Sequence, residues 1–207
     1  MSDSNIEGPP AHPSRHAPGG VLPSAWVRRF AALIAPDGPV LDLACGAGRH
    51  TRLLRAWGHP VTAVDRDLSG IADLAGDAGV EAIEADVENA AWPLGGRRFA
   101  GVVVANYLWR PLFPALLDAL AEGGVLIYET FAKGNARFGK PRNPEHLLAP
   151  GELLARVAGR LHVVAFEHGM VTEPRLAAVQ RLCAVYAPAD ADGLTPLPPA
   201  APLMSPL

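Results

Sequence analysis

Three aspartates follow, or lie within, three successive apolar runs and are almost evenly spaced. Asp42 lies in VLDLACGAG, Asp65 comes 23 residues later at the end of VTAVD, and Asp86 comes 21 residues after that, in EADVE. In open α/β sheets, an acid about 20 residues beyond a glycine turn accepts the hydroxyl groups of a bound ribose. The spacing therefore predicts a nucleoside-binding edge that carries several carboxylates.

Two glycines, Gly46 and Gly48, come directly after the first of these runs. Glycine allows a tight turn and a close approach of the main chain to a ligand. The helix that should follow offers free N–H groups to an anionic part of that ligand. The same two glycines are also compatible with an ordinary connection between a strand and a helix, so the acids carry the stronger part of the prediction.

Apolar periodicity predicts the elements that must position these residues. Strands are expected in PVLDLA, PVTAVD, VEAIEAD, FAGVVVAN and GVLIYET, followed by LHVVAFEHGMV and RLCAVYAP. A first helix, capped by Ser24, is predicted from Trp26, Phe30, Leu33 and Ile34. Further helices are predicted from three groups of apolar residues: Leu53, Leu54 and Trp57; Leu68, Ile71 and Leu74; and Leu112, Phe113, Leu116, Leu117 and Leu120.

The order of these elements predicts the fold class. Strands that alternate with helices form βαβ units with right-handed crossovers and helices on both faces of a parallel sheet. The last two strands are separated only by a short turn that contains TEPR, so they must be antiparallel. We therefore expect an α/β, Rossmann-like, seven-stranded and mostly parallel sheet with a C-terminal antiparallel hairpin.

Composition restricts the functions that are open to the chain. The 207 residues carry a formal net charge of −3, which disfavours a general nucleic-acid binder. Cys45 and Cys183, the two cysteines, have no metal-ligand spacing, so we expect reduced thiols, no metal and a cytoplasmic location. No run approaches the roughly 20 apolar residues of a membrane span. Residues 1–22 and the proline-rich residues 188–207 are expected to be disordered tails around a single domain, 23–187.

The arrangement of acids and glycines resembles the class I S-adenosylmethionine-dependent methyltransferases, and the resemblance spans roughly residues 24 to 187. Among them it is similar to small stand-alone bacterial enzymes, including those of the tellurite-resistance and thiol-methylating kind. It implies S-adenosylmethionine as the cofactor, a small-molecule methyl acceptor and a monomer or homodimer. The cofactor-binding positions that it implies are Asp42, Ala44, Cys45, Gly46, Gly48, Asp65, Arg66, Asp86, Val87 and Asn106. Ala44 departs from the family pattern, which usually has a glycine there.

The segment NYLWRP after the fourth strand is similar to the family segment that flanks the sulfonium and the acceptor. It implies an acceptor side formed by Asn106, Tyr107 and Arg110. Asn106 is equally compatible with a simple turn. His50 and His146 are the nearest candidates for a base, although each fits a structural role better.

A polar segment of roughly twenty residues separates the fifth strand from the next helix. Segments of this length usually carry function or are disordered. We predict that its part from Lys133 to His146 is a lid over the acceptor, with Lys133, Arg137, Lys140 and Arg142 as cations that could meet an anionic acceptor, or else a solvated charged loop. Two other functions stay open: a binding or activator subunit without turnover, and a nicotinamide-dependent oxidoreductase. The last needs G-x-G-x-x-G, but the sixth position from Gly46 is Thr51.

Overall fold

The computed structural model describes residues 22–187 together with residues 195, 197 and 198. Both predicted tails, 1–22 and 188–207, lie almost entirely outside the described residues. The strands are β1 Val40–Leu43, β2 Val61–Asp65, β3 Val80–Glu84, β4 Phe99–Ala105, β5 Leu120–Phe131, β6 His162–Val171 and β7 Ala177–Val185. The α-helices are α1 Ala25–Phe30, α2 Arg49–Ala56, α3 Phe113–Asp118 and α4 Glu152–Val157. Short 3-10 segments span Ala31–Leu33, Leu68–Leu74, Arg110–Leu112, Asn135–Arg137 and Pro144–His146.

All seven strands form one sheet in the order β3-β2-β1-β4-β5-β7-β6. Neighbouring strands from β3 to β5 are parallel, and β7 runs antiparallel to both β5 and β6. The predicted fold class is therefore confirmed, including the closing hairpin. In the register, Leu43 lies beside Val64 of β2 and Val104 of β4, so the segments after these strands emerge at one edge.

The core has two layers because the buried strands present apolar side chains to both faces. One layer packs α3 and α4 against alternate residues of the central strands, and includes Tyr128 and Leu182. The other packs α1 and α2 against the remaining alternate residues, such as Val103 and Ile127. Ser24 caps α1 as predicted, because its Oγ accepts hydrogen bonds from the N–H groups at Trp26 and Val27.

Three local predictions differ from the structure. The segment Leu68–Leu74 is a kinked 3-10 segment and not an α-helix. It contains Gly70, where a Cβ atom would lie 2.6 Å from the Gly46 carbonyl oxygen, so this segment is pressed against the glycine turn. Trp57, expected on a buried helix face, is 44% exposed. Leu120, expected in a helix, begins β5 because it pairs with Phe99 of β4.

No helix among the described residues is long and apolar enough to cross a membrane.

Candidate functional site

A cavity of about 990 Å³ opens at the carboxyl edge of the sheet. Its wall is built from the segments that follow β1, β2, β3, β4 and β5, together with residues just before α1. Small-molecule and cofactor sites occupy about 300 to 1,000 Å³, so this cavity is at the large end of their range. Of the predicted site residues, the wall contains Ala44, Cys45, Gly46, Asp65, Arg66, Asp86, Val87, Asn106 and Tyr107.

The turn after β1 forms the floor of the cavity. Three of its residues have left-handed backbone conformations: Ala44 at φ 54°, Gly46 at φ 53° and Gly48 at φ 70°. A Cβ atom at Gly46 would meet no atom within 4 Å. At Gly48, a Cβ atom would lie 2.3 Å from Cγ2 of Ile71. Gly48 therefore allows close packing at the start of α2, whereas Gly46 leaves open space beside the main chain.

Asp65 joins the end of β2 to this turn. Its Oδ2 accepts a hydrogen bond of 2.8 Å from the Gly46 N–H, and its Oδ1 accepts one of 3.2 Å from the Asp67 N–H. The carboxylate thus holds the glycine turn in place while it lies in the cavity wall. This position is compatible with the predicted contact to a ribose.

Asp42 lies behind the turn and is not part of the cavity wall. Its side chain is buried, and the hydroxyl group of Thr51 donates a 2.6 Å hydrogen bond to its Oδ2. Burial raises the pKa of Asp42 to about 6, although the Thr51 hydrogen bonds and the Arg49 charge oppose the rise. An interaction with a cofactor ammonium group would therefore pass through the turn or through an intervening group.

Asp86 organises the turn that follows β3. Its Oδ1 accepts hydrogen bonds from the N–H groups at Glu88 and Asn89, and its Oδ2 accepts one of 2.9 Å from the Asn89 side chain. These hydrogen bonds lower the pKa of Asp86, and the one from the Asn89 side chain has the largest effect. The turn presents Val87 and Glu88 to the cavity.

Asn106 and Tyr107 continue β4 into the cavity wall. Asn106 has a left-handed backbone at φ 58°, which asparagine tolerates better than most residues. The Tyr107 carbonyl accepts a 3.0 Å hydrogen bond from the Tyr128 hydroxyl group, and the buried Tyr107 hydroxyl group lies near the Glu88 carboxylate. Burial of the Tyr107 hydroxyl group raises its pKa above the usual range, and the Glu88 carboxylate raises it further.

Arg110 lies outside the cavity wall, and its guanidinium group holds the segment before α4. Its Nε and Nη2 contact the Glu152 carboxylate at 2.8 and 3.0 Å, and its Nη1 and Nη2 donate to the Glu145 and Leu147 carbonyl groups. Burial acts to raise the pKa of Glu152, but the hydrogen bond from Arg110 acts in the opposite direction, and the pKa is lowered to about 2. The structure thus gives Arg110 a clamping role that the sequence did not indicate.

The predicted lid contributes two residues to the cavity wall, Pro141 and His146. Asn135, which is buried, anchors its start by donating to the Pro141 carbonyl and accepting from the Ala178 N–H. Its four cationic side chains, Lys133, Arg137, Lys140 and Arg142, are not part of the wall.

The base candidates and Cys45 have distinct environments. The His50 Nε2 accepts a 3.2 Å hydrogen bond from the Ser24 N–H, and burial lowers the pKa of His50 to about 3. His50 is therefore neutral near pH 7 and ties α1 to α2.

Burial raises the pKa of the Cys45 thiol far above its usual range, which matches a packed thiol and not a nucleophile. His146 remains in the wall, half-buried.

The sequence interpretation missed several residues that line the cavity. Arg49, Glu88, Thr130 and Phe131 are all in its wall. Glu88 directly follows Val87, which was predicted to bind the cofactor, and Thr130 ends the predicted strand GVLIYET, so their position along the chain could have identified them. No comparable signal marked Arg49, which begins α2 and lies 4.0 Å from the buried Glu129 carboxylate.

Residues 40–124 match the family model described as a methyltransferase domain. No curated protein shows a significant match to the chain. Among solved structures, TehB from Haemophilus influenzae superposes with a TM-score of 0.61 and 19% identity over 75% of this chain, although the match spans only 59% of TehB.

Two N-methyltransferases are also similar. The 1,6-didemethyltoxoflavin-N1-methyltransferase of Burkholderia thailandensis, solved with 1,6-didemethyltoxoflavin and S-adenosylhomocysteine, has a TM-score of 0.59 and 21% identity over 79% of this chain and 77% of its own. NodS from Bradyrhizobium japonicum WM9 has a TM-score of 0.58 and 16% identity over 78% and 94%. The family match and this shared fold confirm the class I methyltransferase resemblance.

Proposed function

We propose that this methyltransferase, whose cofactor is S-adenosylmethionine, transfers the methyl group to a small-molecule acceptor by in-line displacement. The cofactor supplies an electrophilic methyl group on a sulfonium. The protein then has to position two ligands, align them and exclude water. Residues 23–187 are proposed to form the domain that does this.

The residues of the glycine turn and the neighbouring strand ends fit the cofactor. Gly46 leaves open space beside the main chain, so the methionyl part can lie against it. Asp65, in the cavity wall, is proposed to accept the ribose hydroxyl groups, and Asp86 and Val87, at the next strand end, are proposed to contact the base. Ala44, Cys45 and Gly48 shape the turn, Arg66 follows Asp65 in the wall, and Asn106 is proposed to border the methionyl part.

The extent of the cavity is the observation that carries the proposal of a second ligand. Its wall reaches from Asp65, at the end of β2, to Thr130 and Phe131, at the end of β5. Three strand spacings separate β2 from β5, which is about 14 Å at roughly 4.8 Å per spacing. The acids account for one end only, so space beside β5 remains for an acceptor.

The chemistry of this second end favours a small acceptor of limited charge. Leu22, Pro23, Phe131 and Pro141 contribute apolar surface there. The lid cations are not in the wall, so the structure offers no support for the anionic acceptor that they could have bound. The net charge of −3 likewise gives no reason to propose nucleic acid.

Titration calorimetry with S-adenosylmethionine and S-adenosylhomocysteine tests the cofactor half of the proposal. A panel of small amines, thiols and phenols, read out by formation of S-adenosylhomocysteine, tests the acceptor half. Asp65→Ala serves as the control with an impaired cofactor site. Binding without turnover on any acceptor class would favour the binding or activator subunit, and binding of a nicotinamide dinucleotide in place of S-adenosylmethionine would contradict the proposal.

We also propose a cytoplasmic location, which is supported by Cys45 and Cys183 being free thiols. Cell fractionation would test it.

A further inference from the structure

The segment that carries His146 is fixed to the end of β5. The Leu148 N–H donates a 3.0 Å hydrogen bond to the Phe131 carbonyl group, and the Lys133 N–H donates one of 2.9 Å to the Leu148 carbonyl group. Leu147 is buried and packs in one cluster with Phe131. His146, which precedes these anchored residues, is half-buried in the cavity wall. It therefore lies at the β5 end of the cavity, where the acceptor is proposed to bind.

Arg110 holds the main chain on both sides of His146. Its Nη1 donates a 2.6 Å hydrogen bond to the Glu145 carbonyl group, and its Nη2 donates one of 3.0 Å to the Leu147 carbonyl group. The guanidinium group is itself held by the Glu152 carboxylate, which contacts its Nε and Nη2. An arginine presents its donors in a rigid planar fork, so these contacts fix the backbone from which the imidazole ring extends.

Other titratable groups in the described part of the wall are not suited to accept a proton at this end. The wall carboxylates follow β2 and β3, which lie three or more strand positions from β5. The Nε2 of His50 accepts the Ser24 N–H, so the neutral ring carries its proton on Nδ1 and neither nitrogen is available. Burial raises the pKa values of the Cys45 thiol and the Tyr107 hydroxyl group far above their usual ranges, so both stay protonated. That leaves His146, whose imidazole is the side chain most often used as a general base.

The apolar character of this end indicates in which form a nucleophile arrives. Phe131 and Pro141 contribute apolar surface, and the Arg49 cation of the wall is opposed by the Glu129 carboxylate at 4.0 Å. Transfer of an ionised group from water to apolar surroundings is costly, so a neutral O–H or S–H nucleophile is favoured there. Such a nucleophile has to lose its proton during methyl transfer, and a positioned base assists that loss.

We propose that His146 is the general base for an acceptor that arrives as a neutral phenol or thiol, and that Arg110 is a positioning residue which acts through His146. The acceptor oxygen or sulfur forms a bond to the methyl carbon, and the electron pair of the broken carbon–sulfur bond stays on the cofactor sulfur, which loses its positive charge. The acceptor proton passes to an imidazole nitrogen of His146, which carries the positive charge until the proton is released to water. This inference rests on the proposed function.

Titration calorimetry with phenol or mercaptoethanol, on protein saturated with S-adenosylhomocysteine, tests the contact to His146 without turnover. His146→Ala should weaken binding of these probes about 3- to 10-fold, the effect of losing one neutral hydrogen bond. His168→Ala is the matched control, because His168 is an exposed histidine of β6 outside the cavity wall. It should leave affinity for the probes within about twofold.

Rates with matched pairs of nucleophiles separate a base from a residue that only binds the acceptor. At pH 8, para-nitrophenol is mostly ionised and needs no base, whereas phenol keeps its proton; thiophenol and mercaptoethanol form the corresponding thiol pair. His146→Gln can still form a hydrogen bond but cannot take up the proton. It should lower kcat for the protonated member of a pair about 100-fold or more, and for the ionised member by at most about threefold. Arg110→Met should likewise affect the protonated member more, whereas a purely structural role would lower both rates alike.

The inference is overturned, and the cofactor site stands, if the wild-type protein binds S-adenosylmethionine but any of three results is found. The first is that His146→Gln changes both members of a pair equally or changes neither. The second is that the wild-type protein methylates only the ionised member of each pair, and the third is that it methylates none of the four probes. If the wild-type protein does not bind S-adenosylmethionine, the proposed function itself is wrong and the inference fails with it.

Discussion

Asp42→Asn should make the protein more stable at pH 8 while it weakens cofactor binding. The Asp42 carboxyl group is fully buried, and its pKa of about 6 exceeds the ordinary 3.8. At about 1.36 kcal/mol per pKa unit, this difference corresponds to about 3 kcal/mol against the ionised form in the folded state. Asparagine has nearly the same shape, carries no charge and can still accept the Thr51 hydroxyl hydrogen bond.

The sign of the pH dependence follows from linkage. Between pH 3.8 and about 6, the unfolded chain has released the Asp42 proton and the folded chain has kept it. The unfolded state therefore binds fewer protons in this window, and the contribution of Asp42 to stability falls as the pH rises. Asp42→Asn has no such loss, so its advantage from this effect should grow from about 1 kcal/mol at pH 4.5 to about 3 kcal/mol at pH 8.

Urea denaturation of both proteins from pH 4.5 to 8 measures this difference. Asp37→Asn, in an exposed turn, removes an aspartate charge without a burial effect and should show no growing advantage. A difference between wild type and Asp42→Asn that stays constant across this range would refute the reasoning, because it would mean that Asp42 is not held protonated by its environment. Calorimetry at pH 8 should show weaker S-adenosylmethionine binding by Asp42→Asn if the ionised carboxylate serves the cofactor ammonium.

Three further predictions concern single residues of the site. Asp65→Ala should weaken S-adenosylmethionine binding by about 1.5 to 3 kcal/mol in calorimetry, because Asp65 both faces the cavity and holds the Gly46 N–H; unchanged affinity would remove it from the ribose site. Ala44→Gly should raise the melting temperature by about 1 to 3 °C. Glycine removes the cost of the left-handed backbone, about 1 to 2 kcal/mol, and this gain exceeds the cost of the extra freedom that glycine gives the unfolded chain, about 0.4 to 1 kcal/mol. Arg110→Met should reduce the free energy of unfolding by about 1.5 to 3 kcal/mol in urea, because it breaks the clamp to Glu152; full stability would favour the acceptor role instead.

The fold was predictable where a local pattern was sufficient. Most strands are continuous apolar runs bounded by glycine, proline or aspartate, and the short TEPR connection fixed the antiparallel hairpin. Leu120 shows the limit of this reasoning: it continues a helical stripe in the sequence, but it pairs with Phe99, 21 residues away, in the strand ladder. Long-range pairing of this kind overrides local periodicity.

Whether a predicted site residue reaches the cavity wall depends on how directly it is tied to a strand end. Asp65 and Asp86 follow their strands directly, so parallel pairing alone brings them to one edge. The ion pair of Arg110 could not be predicted from local sequence because its partner, Glu152, lies 42 residues further along the chain. A cation near a strand end looks like a ligand contact until its counter-charge is known.

The predicted lid shows why charged side chains near a site cannot be assigned to a ligand from the sequence alone. The predicted lid is held by Asn135 at one end and by Arg110 at the other, and its four cations stay outside the cavity wall. If this segment closes over an acceptor, as predicted, Pro141 and His146 are its residues in the cavity wall, and the four charged side chains are not.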